Sequence, residues 1–493
     1  MKNLYNLFAS VCRRMGDSTA LIFHENTITY NTLYTNVEKI YALLMQHGVQ
    51  SGEVVGLAIK RSPNAFAAIL AVLKAGTAYM PFNSLQPPAE WRRMMDESNS
   101  KLVISDQLAS AKFYDGLWIE LDEFTYQTNT PNAYPCTEEN HLKRLAYIMY
   151  TSGSTGKAKG VGIRQESLYN LILNGTKEVG LTEGCRILAL SNFAFDMSIP
   201  ETIMPMLIGM SVVLLDDTEV LNPRLVRKQI QNQRVSTIQI TPTRMNVLLN
   251  CKQGTDFLQP VTHVLFGAEM VSITLRNKLR EFTKAKIFNL YGPTETTAYL
   301  SYSDITRKTV IDIGDPIENM QILLADTDQK IIDGPGEGEI LIAGVGVADG
   351  YLTSDDKQSF RRFPELSESP VYFTGDIAKR LESGEMVYIG RCDNQIKYRG
   401  YRLGLEEIEN KIRNCMDKIQ DCVVFVRKDD MDEHLMLAYV SPDELDILRF
   451  KALLANYLPN YSIPNILVRV ESLPLNKNGK IDRAALVCAV SGR

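Results

Sequence analysis

The sequence lacks the features that mark several large classes of protein. Its eight cysteines form no CxxC pair, and only five histidines are present to complete a metal site, so neither a zinc site nor a disulfide framework is expected. Lysine and arginine total 53 against 58 aspartates and glutamates, without a dense basic cluster, which argues against nucleic acid as a main partner. We therefore expect a cytoplasmic protein whose thiols are reduced and structural.

Long apolar runs and repeats are missing as well. The longest apolar stretch, 202–215, contains Pro205 and is shorter than the roughly 20 residues needed to cross a bilayer, so we interpret it as buried core. The first residues include no long apolar run followed by small residues, which argues against a secretory signal. No unit of about 20 to 50 residues recurs, which excludes solenoids and propellers. We expect neither a membrane partner nor a repeat architecture.

The alternation of apolar patterns predicts an α/β fold. With 493 residues, the chain exceeds what one hydrophobic core usually organises. Between residues 54 and 82, a strand-like run, a helical run and a second strand-like run follow one another, as in a βαβ unit. The alternation continues with the strand-like runs RILALS, VVLLDD, VSTIQIT, THVLFGA and AKIFNLYG. We predict a large N-terminal domain of helices and mostly parallel sheets, with more than one sheet.

Two changes in pattern divide the rest of the chain. After residue 310, short strands alternate with Gly-rich turns, which predicts a β-rich subdomain over about 310–392. A helix that begins at Leu405 places Leu405, Ile408, Ile412 and Cys415 on one face, and mixed strands and helices follow it. We predict a large N-terminal core over 1–392 and a small α+β C-terminal domain over 393–493.

Residues 150–160 read YTSGSTGKAKG and can wrap a polyphosphate. The glycines let the backbone approach closely and adopt positive φ, while the hydroxyls and lysines supply donors and positive charge. The loop is not a Walker A motif, because the GxxxxGK[ST] spacing is absent. A solvated Gly/Ser loop is the alternative interpretation.

This loop belongs to a set of motifs that resembles the adenylate-forming enzyme superfamily over almost the whole chain. The set is most similar to the adenylation domain of a nonribosomal peptide synthetase, a group that activates amino acids with ATP and passes them to a carrier-protein thiol. The other motifs are LKAGTAYMPFN (73–83), NFAFDMS (192–198), NLYGPTE (289–295), GEGEILIAGVGVADGYL (336–352), YFTGD (372–376), YIGRCDNQIKYRGYRLGLEEIE (388–409) and NKNGKIDR (476–483).

The resemblance implies a nucleotide site. It places the ring of Tyr291 against adenine, Glu295 on Mg²⁺ and Asp376 on the ribose hydroxyls, roles that suit an aromatic platform and hard carboxylate oxygens. Turns built around Gly292 or around Gly375 are the alternative interpretations of these motifs. The implied ATP- or AMP-binding residues are Thr151, Ser152, Ser154, Thr155, Lys159, Asn289, Tyr291, Gly292, Thr294, Asp376, Tyr388 and Arg391.

The resemblance also assigns the chemical step and a domain rotation. Lys480 would stabilise the charge that develops when a carboxylate attacks the α-phosphate, although a lysine near a C-terminus is usually a solvated surface charge. Asp393 occupies the position of the hinge about which the small, mobile C-terminal domain would rotate between the two half-reactions.

Asp196 indicates which acid is activated. An α-ammonium group held out of water needs a nearby carboxylate, whereas fatty and aryl acids carry no such charge; a helix N-cap is the alternative role for Asp196. The pocket positions implied by the resemblance predict a small or medium uncharged amino acid, with glycine or alanine favoured. Pro200, Ala298 and Tyr299 depart from the lining of glycine-activating domains. The full lining is Asp196, Met197, Pro200, Gln239, Leu265, Gly267, Leu290, Ala298 and Tyr299, with Lys480.

The sequence also has two alternative functional interpretations. An acyl- or aryl-CoA ligase shares the ATP motifs, but Asp196 argues against it. A catalytically silent nucleotide-binding scaffold is disfavoured by the presence of Asp376, Glu295 and Lys480. A short tail follows Lys480 and no GGxS-type attachment segment is present, so we expect the phosphopantetheinylated carrier protein to act in trans or to come from a removed downstream domain. Smaller departures from the family pattern are Asn83, Ala158, Gln165 and Gly404.

Overall fold

The computed structural model describes the chain in two compact units. The first comprises residues 1–84, 88–151 and 159–392, and the second comprises 85–87, 152–158 and 393–493. Within them, the described residues are 3–84, 86–106, 115–126, 131, 140–151, 158–251, 254–353, 358–364, 366–367, 369–392, 395–398, 401–416, 419, 421–428, 434–441, 446–470, 473–474 and 486.

Helices of the first unit begin where the sequence offers local start signals. Thr29, Asn222, Thr241 and Ser272 each accept a hydrogen bond from a backbone N–H of the first turn that follows, which satisfies donors that a helix leaves free. The helices are α1 (Tyr5–Met15), α2 (Tyr30–Gln46), α3 (Pro63–Lys74), α4 (Pro88–Glu97), α5 (Gln165–Asn170), α6 (Thr176–Val179), α7 (Ile203–Ile208), α8 (Pro223–Asn232), α9 (Pro242–Leu249) and α10 (Ile273–Phe282).

Two large sheets, one of six strands and one of nine, confirm the prediction of an α/β fold with more than one mostly parallel sheet. In the six-stranded sheet, the last two strands are antiparallel and the other pairs are parallel. Its strands are β3 (Val54–Ala58), β4 (Ala78–Pro81), β5 (Leu102–Ser105), β6 (Leu117–Glu120), β7 (Leu145–Thr151) and β8 (Lys159–Arg164), in the order β6-β5-β3-β4-β7-β8.

The nine-stranded sheet has a parallel centre and antiparallel edges. Its strands are β1 (Thr19–Phe23), β2 (Asn26–Thr29), β9 (Arg186–Ala189), β10 (Ser211–Leu214), β11 (Thr237–Ile240), β12 (His263–Phe266), β13 (Lys286–Tyr291), β14 (Ser301–Asp304) and β15 (Asp315–Pro316), in the order β15-β14-β13-β12-β11-β9-β10-β1-β2. The pairs from β1 through β10, β9, β11 and β12 to β13 are parallel, and β2, β14 and β15 pair antiparallel.

Burial on both faces explains the apolar runs of this sheet. Alternate residues of one strand belong to two different cores, as Leu265 packs in the larger core and Val264 and Phe266 pack in a second one. The larger core also takes in Tyr79 of β4 and Tyr147 of β7. A sheet covered on both sides needs apolar side chains at nearly every position, so its strands read as continuous runs.

A β-rich region forms the end of the first unit. Its sheet is antiparallel and has the order β16-β17-β19-β18, with β20 also paired to β19. The strands are β16 (Met320–Ala325), β17 (Gly336–Gly344), β18 (Phe360–Arg361), β19 (Val371–Arg380) and β20 (Met386–Arg391).

The second unit has its own core of mixed α and β elements. The side chains of Leu405, Ile408, Ile412 and Cys415 share that core, as the periodicity predicts. The described elements are β21 (Gln395–Tyr398), β22 (Tyr401–Gly404), α11 (Leu405–Asn414), β23 (Asp421–Lys428), β24 (His434–Ser441), α12 (Ile447–Leu454) and β25 (Ile466–Arg469), with β23 and β24 antiparallel and β24 and β25 parallel.

The sequence predicts reduced thiols and no segment that crosses a membrane, and the described residues bear on both predictions. No disulfide joins the six cysteines in the described part of the chain, namely Cys12, Cys185, Cys251, Cys392, Cys415 and Cys422. Among the described helices, none combines the length and apolar character that crossing a bilayer requires.

Candidate functional site

Asp196 lies beside two buried tyrosines. After β9, the chain forms a 3₁₀ turn, Asp196–Glu201, and Asp196 is its first residue and is half-buried. The residue at the N-cap position of the turn is Phe195. Burial raises the pKa of the Tyr79 and Tyr147 hydroxyls well above the usual value, and the nearby Asp196 carboxylate raises the pKa of both further. The Asp196 carboxylate is therefore near enough to both hydroxyls for its charge to act on them.

The predicted pocket residues come from neighbouring strands of the nine-stranded sheet. Gln239 of β11 pairs in register with Leu265 of β12, and Leu290 lies on the next strand, β13. Gly267 follows β12, and a Cβ built on it would lie 3.5 Å from Met197 Cε and 4.0 Å from Leu290 Cβ. The structure thus places Gln239, Leu265 and Leu290 toward the carboxyl ends of three parallel strands, with Gly267 and Met197 close by, and α/β sheets bind ligands at this edge.

Glu201 is a residue of this region that the sequence analysis did not single out. Its side chain is fully buried, and its Oε2 accepts hydrogen bonds from Leu190 N at 2.7 Å and Ser191 N at 2.6 Å. Its Oε1 accepts from Ser191 Oγ at 2.9 Å and from Gln239 Nε2 at 3.4 Å. Burial raises the pKa of Glu201, while these hydrogen bonds and the charge of Arg61 act in the opposite direction. The sequence did contain a signal for this residue, since Glu201 ends the otherwise uncharged run MSIPE (197–201).

The amide nitrogen of Gln239 donates hydrogen bonds to two groups of the protein. Besides the contact with Glu201, Nε2 donates to the backbone carbonyl of Met197. Gln239 is 1% exposed, and its Oε1 is buried without a hydrogen-bond partner among the described residues.

The remaining pocket residues follow β13 or lie in the 3₁₀ turn. Pro200 is a buried residue of the turn. Ala298 has a positive φ of 64°, and Tyr299 is buried, with its hydroxyl 3.9 Å from Met204 Sδ. The ring of Tyr299 packs edge-on against Tyr302, with centroids 5.1 Å apart. Of the departures noted in the sequence, Ala298 and Tyr299 therefore follow β13, whereas Pro200 lies in the turn after β9.

Asp376 joins three elements in the predicted nucleotide site. The Asp376 carboxylate accepts a hydrogen bond from the Tyr291 hydroxyl at 2.8 Å and pairs with the Arg391 guanidinium at 2.6 Å. Asp376 and Arg391 are register partners on β19 and β20, and the rings of Tyr291 and Tyr388 lie 6.5 Å apart. Burial raises the pKa of Tyr291 well above its usual value, and Asp376 adds to the shift. The four residues, all predicted to bind the nucleotide, therefore lie together in the folded chain.

Glu295 and Lys159 meet at a tyrosine that the sequence analysis missed. Glu295 is 1% exposed, and its Oε1 accepts a hydrogen bond from the Tyr351 hydroxyl at 2.7 Å. The Lys159 ammonium lies 4.7 Å from the centroid of the Tyr351 ring, which is a cation–π contact. Tyr351 is the penultimate residue of the motif 336–352, and it links a predicted metal ligand to a predicted phosphate ligand.

The structure also describes four other residues that the sequence predicts to bind the nucleotide. Asn289 Nδ2 donates to the Asp312 carbonyl at 2.7 Å. Gly292 has no room for a side chain, because a Cβ would lie 2.4 Å from the Cα of Tyr299. Thr294 begins the short turn that contains Glu295, and Thr151 ends β7 opposite Lys159.

Several predicted residues lie outside the described part of the chain. They are Ser152, Ser154, Thr155, Asp393 and Lys480.

A family model described as AMP-binding enzyme matches residues 8–352. Bacitracin synthase 1 of Bacillus licheniformis is 33% identical over 496 residues, which cover 98% of this chain. The chain spans 9% of the length of that curated relative.

Solved structures of related proteins share the architecture. A nonribosomal peptide synthetase protein that contains adenylation and PCP domains, bound to a vinylsulfonamide inhibitor, matches with a TM-score of 0.85 and 26% identity over 99% of this chain and 84% of that one. A holo four-domain nonribosomal peptide synthetase bound to AMP and glycine matches with a TM-score of 0.70 and 28% identity, covering 98% of this chain and 36% of that one.

Proposed function

Since the chain belongs to the family of AMP-binding enzymes and is an adenylation domain of the nonribosomal peptide synthetase type, we propose that it activates a small or medium uncharged amino acid. The amino acid reacts with ATP to give an aminoacyl adenylate and pyrophosphate. The aminoacyl group then passes to the phosphopantetheine thiol of a carrier protein, which acts in trans or belongs to a longer chain.

The position of Asp196 carries this proposal. A half-buried carboxylate beside two neutral hydroxyls is an apt partner for an α-ammonium group that has left water. Met197, Gly267 and Leu290 lie next to one another and are apolar, which favours an uncharged substrate side chain. Glycine and alanine are the favoured substrates, and the related synthetase that holds AMP and glycine supports the choice.

The Tyr291, Asp376, Arg391 and Tyr388 cluster is the proposed site of the adenosine. Each oxygen of Asp376 takes one described hydrogen bond, and a carboxylate has about four acceptor positions. Acceptor capacity therefore remains for the ribose hydroxyls, while Arg391 holds the carboxylate in place. The ring of Tyr291, which lies next to this carboxylate, would pack against the adenine.

Glu295 fits the role of a magnesium ligand. Mg²⁺ prefers hard oxygen ligands and is usually bound by one or two carboxylates together with substrate phosphates. The hydroxyl of Tyr351 occupies one acceptor position of the Glu295 carboxylate and so orients it. When bound, Mg²⁺ would neutralise charge on the phosphate oxygens. Lys159, in contact with Tyr351, would add a second positive charge on the phosphate side.

Lys480 is the proposed catalytic residue. Attack of the substrate carboxylate on the α-phosphate brings two anions together, and a lysine that contacts both would stabilise the charge in the transition state. Asp393 is the proposed hinge at which the second unit rotates, so that Lys480 serves adenylation and leaves before the carrier thiol arrives.

A pyrophosphate-exchange screen tests the function. We expect exchange of labelled pyrophosphate into ATP with glycine or alanine, and none with fatty or aromatic acids. Exchange that depends on fatty or aryl acids would support the CoA-ligase alternative instead. Nucleotide binding with no acid-dependent exchange would support a silent scaffold.

A further inference from the structure

The contacts of Glu201 point to a role in substrate selection, through Gln239. Gln239 is the polar residue among Leu265, Gly267 and Leu290 on its face of the sheet. The group that its carboxamide presents to the pocket therefore decides what hydrogen bonds a substrate side chain can make. If the protein forms hydrogen bonds with the amide nitrogen of Gln239, the amide oxygen is left for the substrate, and the reverse holds if the protein binds the oxygen.

Glu201 and Met197 together fix that orientation. The Met197 carbonyl oxygen and the Glu201 carboxylate are both acceptors, so only the amide nitrogen of Gln239 can face them. Both contacts are made, from Nε2 to Met197 O and to Glu201 Oε1. A flipped carboxamide would place its oxygen against two other acceptors, and the resulting repulsion in a buried environment is costly.

Glu201 is itself held rigidly. Its two oxygens accept hydrogen bonds from the backbone N–H groups of Leu190 and Ser191 and from the Ser191 hydroxyl. The carboxylate cannot turn away from Gln239 without breaking these bonds. The remaining carboxamide atom, Gln239 Oε1, is buried and accepts no hydrogen bond from the described residues, and a buried acceptor without a partner costs free energy.

We propose that Glu201 is a positioning residue that locks Gln239 with Oε1 as the acceptor for a donor on the substrate side chain. The proposal rests on amino-acid activation and refines its substrate class. Among short uncharged side chains, it favours one that ends in a hydroxyl over one of equal size that ends in a methyl. Serine and 2-aminobutyrate are such a pair, and glycine and alanine form a pair that reports size alone.

The test compares kcat/KM for these four amino acids in pyrophosphate exchange. In Glu201→Gln, an amide replaces the fixed acceptor and the Gln239 carboxamide can turn. We expect the serine to 2-aminobutyrate ratio to fall by about tenfold, the scale of one hydrogen bond. The glycine to alanine ratio should stay within about twofold. The KM for ATP should not change.

Gln239→Met supplies the control that separates positioning from stability. It removes the carboxamide at similar volume, so the ratio should fall by a similar factor. Adding Glu201→Gln in that background should then change it by less than about twofold, as expected for residues that act as one unit. A purely structural role for Glu201 would lower the melting temperature in both backgrounds and leave the ratio unchanged, which would overturn the proposal.

Two further outcomes keep the test decisive. If Glu201→Gln does not fold, Glu201→Asp keeps the charge but withdraws it from Gln239, and the same fall in the ratio is expected; an unchanged ratio would overturn the proposal. If the wild-type protein shows no exchange with any amino acid, the proposed function fails and this inference fails with it. A wild type that exchanges with amino acids but shows the same ratio as Gln239→Met overturns the inference alone.

Discussion

At the scale of single residues, the Asp196 carboxylate has the clearest consequence. Asp196→Ala should reduce amino-acid-dependent exchange by more than about 100-fold, since leaving one partner of a desolvated charge pair unpaired costs about 3 to 5 kcal/mol. Binding of ATP, measured by calorimetry, should change little, because the proposed nucleotide contacts involve other residues. Asp196→Asn is the matched variant that keeps the shape and removes the charge, and it should behave like Asp196→Ala. An unchanged exchange rate in both would exclude the ammonium role.

Gly267 allows a second test at this scale, because its neighbours can accept a methyl group. The Cβ of Gly267→Ala would make ordinary contacts with Met197 and Leu290, at 3.5 and 4.0 Å, so the variant should fold. The added methyl narrows the pocket, and activity with alanine should fall more than activity with glycine. The difference should be about 10- to 200-fold, the usual range for one methyl group.

Gly390→Ala is the control for that substitution. A Cβ at Gly390 meets no atom within 4 Å, so the ratio of glycine to alanine activity should match the wild type. Equal losses for both substrates in Gly267→Ala would show that Gly267 does not line the substrate pocket.

At the scale of elements, a π-helical turn packs against an aromatic residue that neighbours a predicted substrate contact. The turn Leu171–Gly175 brings Gly175 against the hydroxyl of Tyr302, where a Cβ would lie 2.1 Å from the oxygen. Tyr302 in turn packs against Tyr299, which is a predicted substrate contact. A substitution in the turn is therefore expected to displace the Tyr302 ring and, through it, the ring of Tyr299.

Gly175→Ala should lower the free energy of unfolding by about 1 to 3 kcal/mol, as overpacking in a core usually does. The double variant with Tyr302→Phe should recover most of this loss, because the atom that the methyl group meets is gone. Thermal unfolding of both variants and of Tyr302→Phe alone measures the effect. A double variant as unstable as Gly175→Ala would contradict the contact. Gly292→Ala should not be rescued by any side-chain change, since its neighbour is the backbone of Tyr299.

At the scale of the whole molecule, the proposed rotation separates two half-reactions. Lys480→Ala should lower adenylation by about 10²- to 10³-fold, the cost of removing one preorganised electrostatic donor. The same variant, given preformed aminoacyl adenylate and a carrier with its phosphopantetheine arm, should form thioester at a near wild-type rate. Lys477→Ala, in the same motif, is the matched control and should affect neither step. Equal loss of both half-reactions in Lys480→Ala would argue for a single fixed arrangement.

The sequence by itself determined the class of fold and identified the motifs, whose chemical roles stay predictions. The strands of the nine-stranded sheet were predictable because a sheet buried on both faces needs apolar side chains along its whole length. The face of α11 was predictable from helical periodicity, and Tyr291, Asp376 and Arg391 were predictable because their motifs are local strings.

Only the tertiary structure decided which side chains meet. Tyr291 and Asp376 are 85 residues apart in the chain, Tyr351 and Glu295 are 56 apart, and Gln239 and Glu201 are 38 apart. Tyr351 and Glu201 were missed because periodicity and composition report the surroundings of a residue along the chain, whereas a buried hydrogen bond depends on how separate elements pack. The demand that each buried polar group find a partner acts on the folded chain, and so it becomes visible only when the strands and turns are in place.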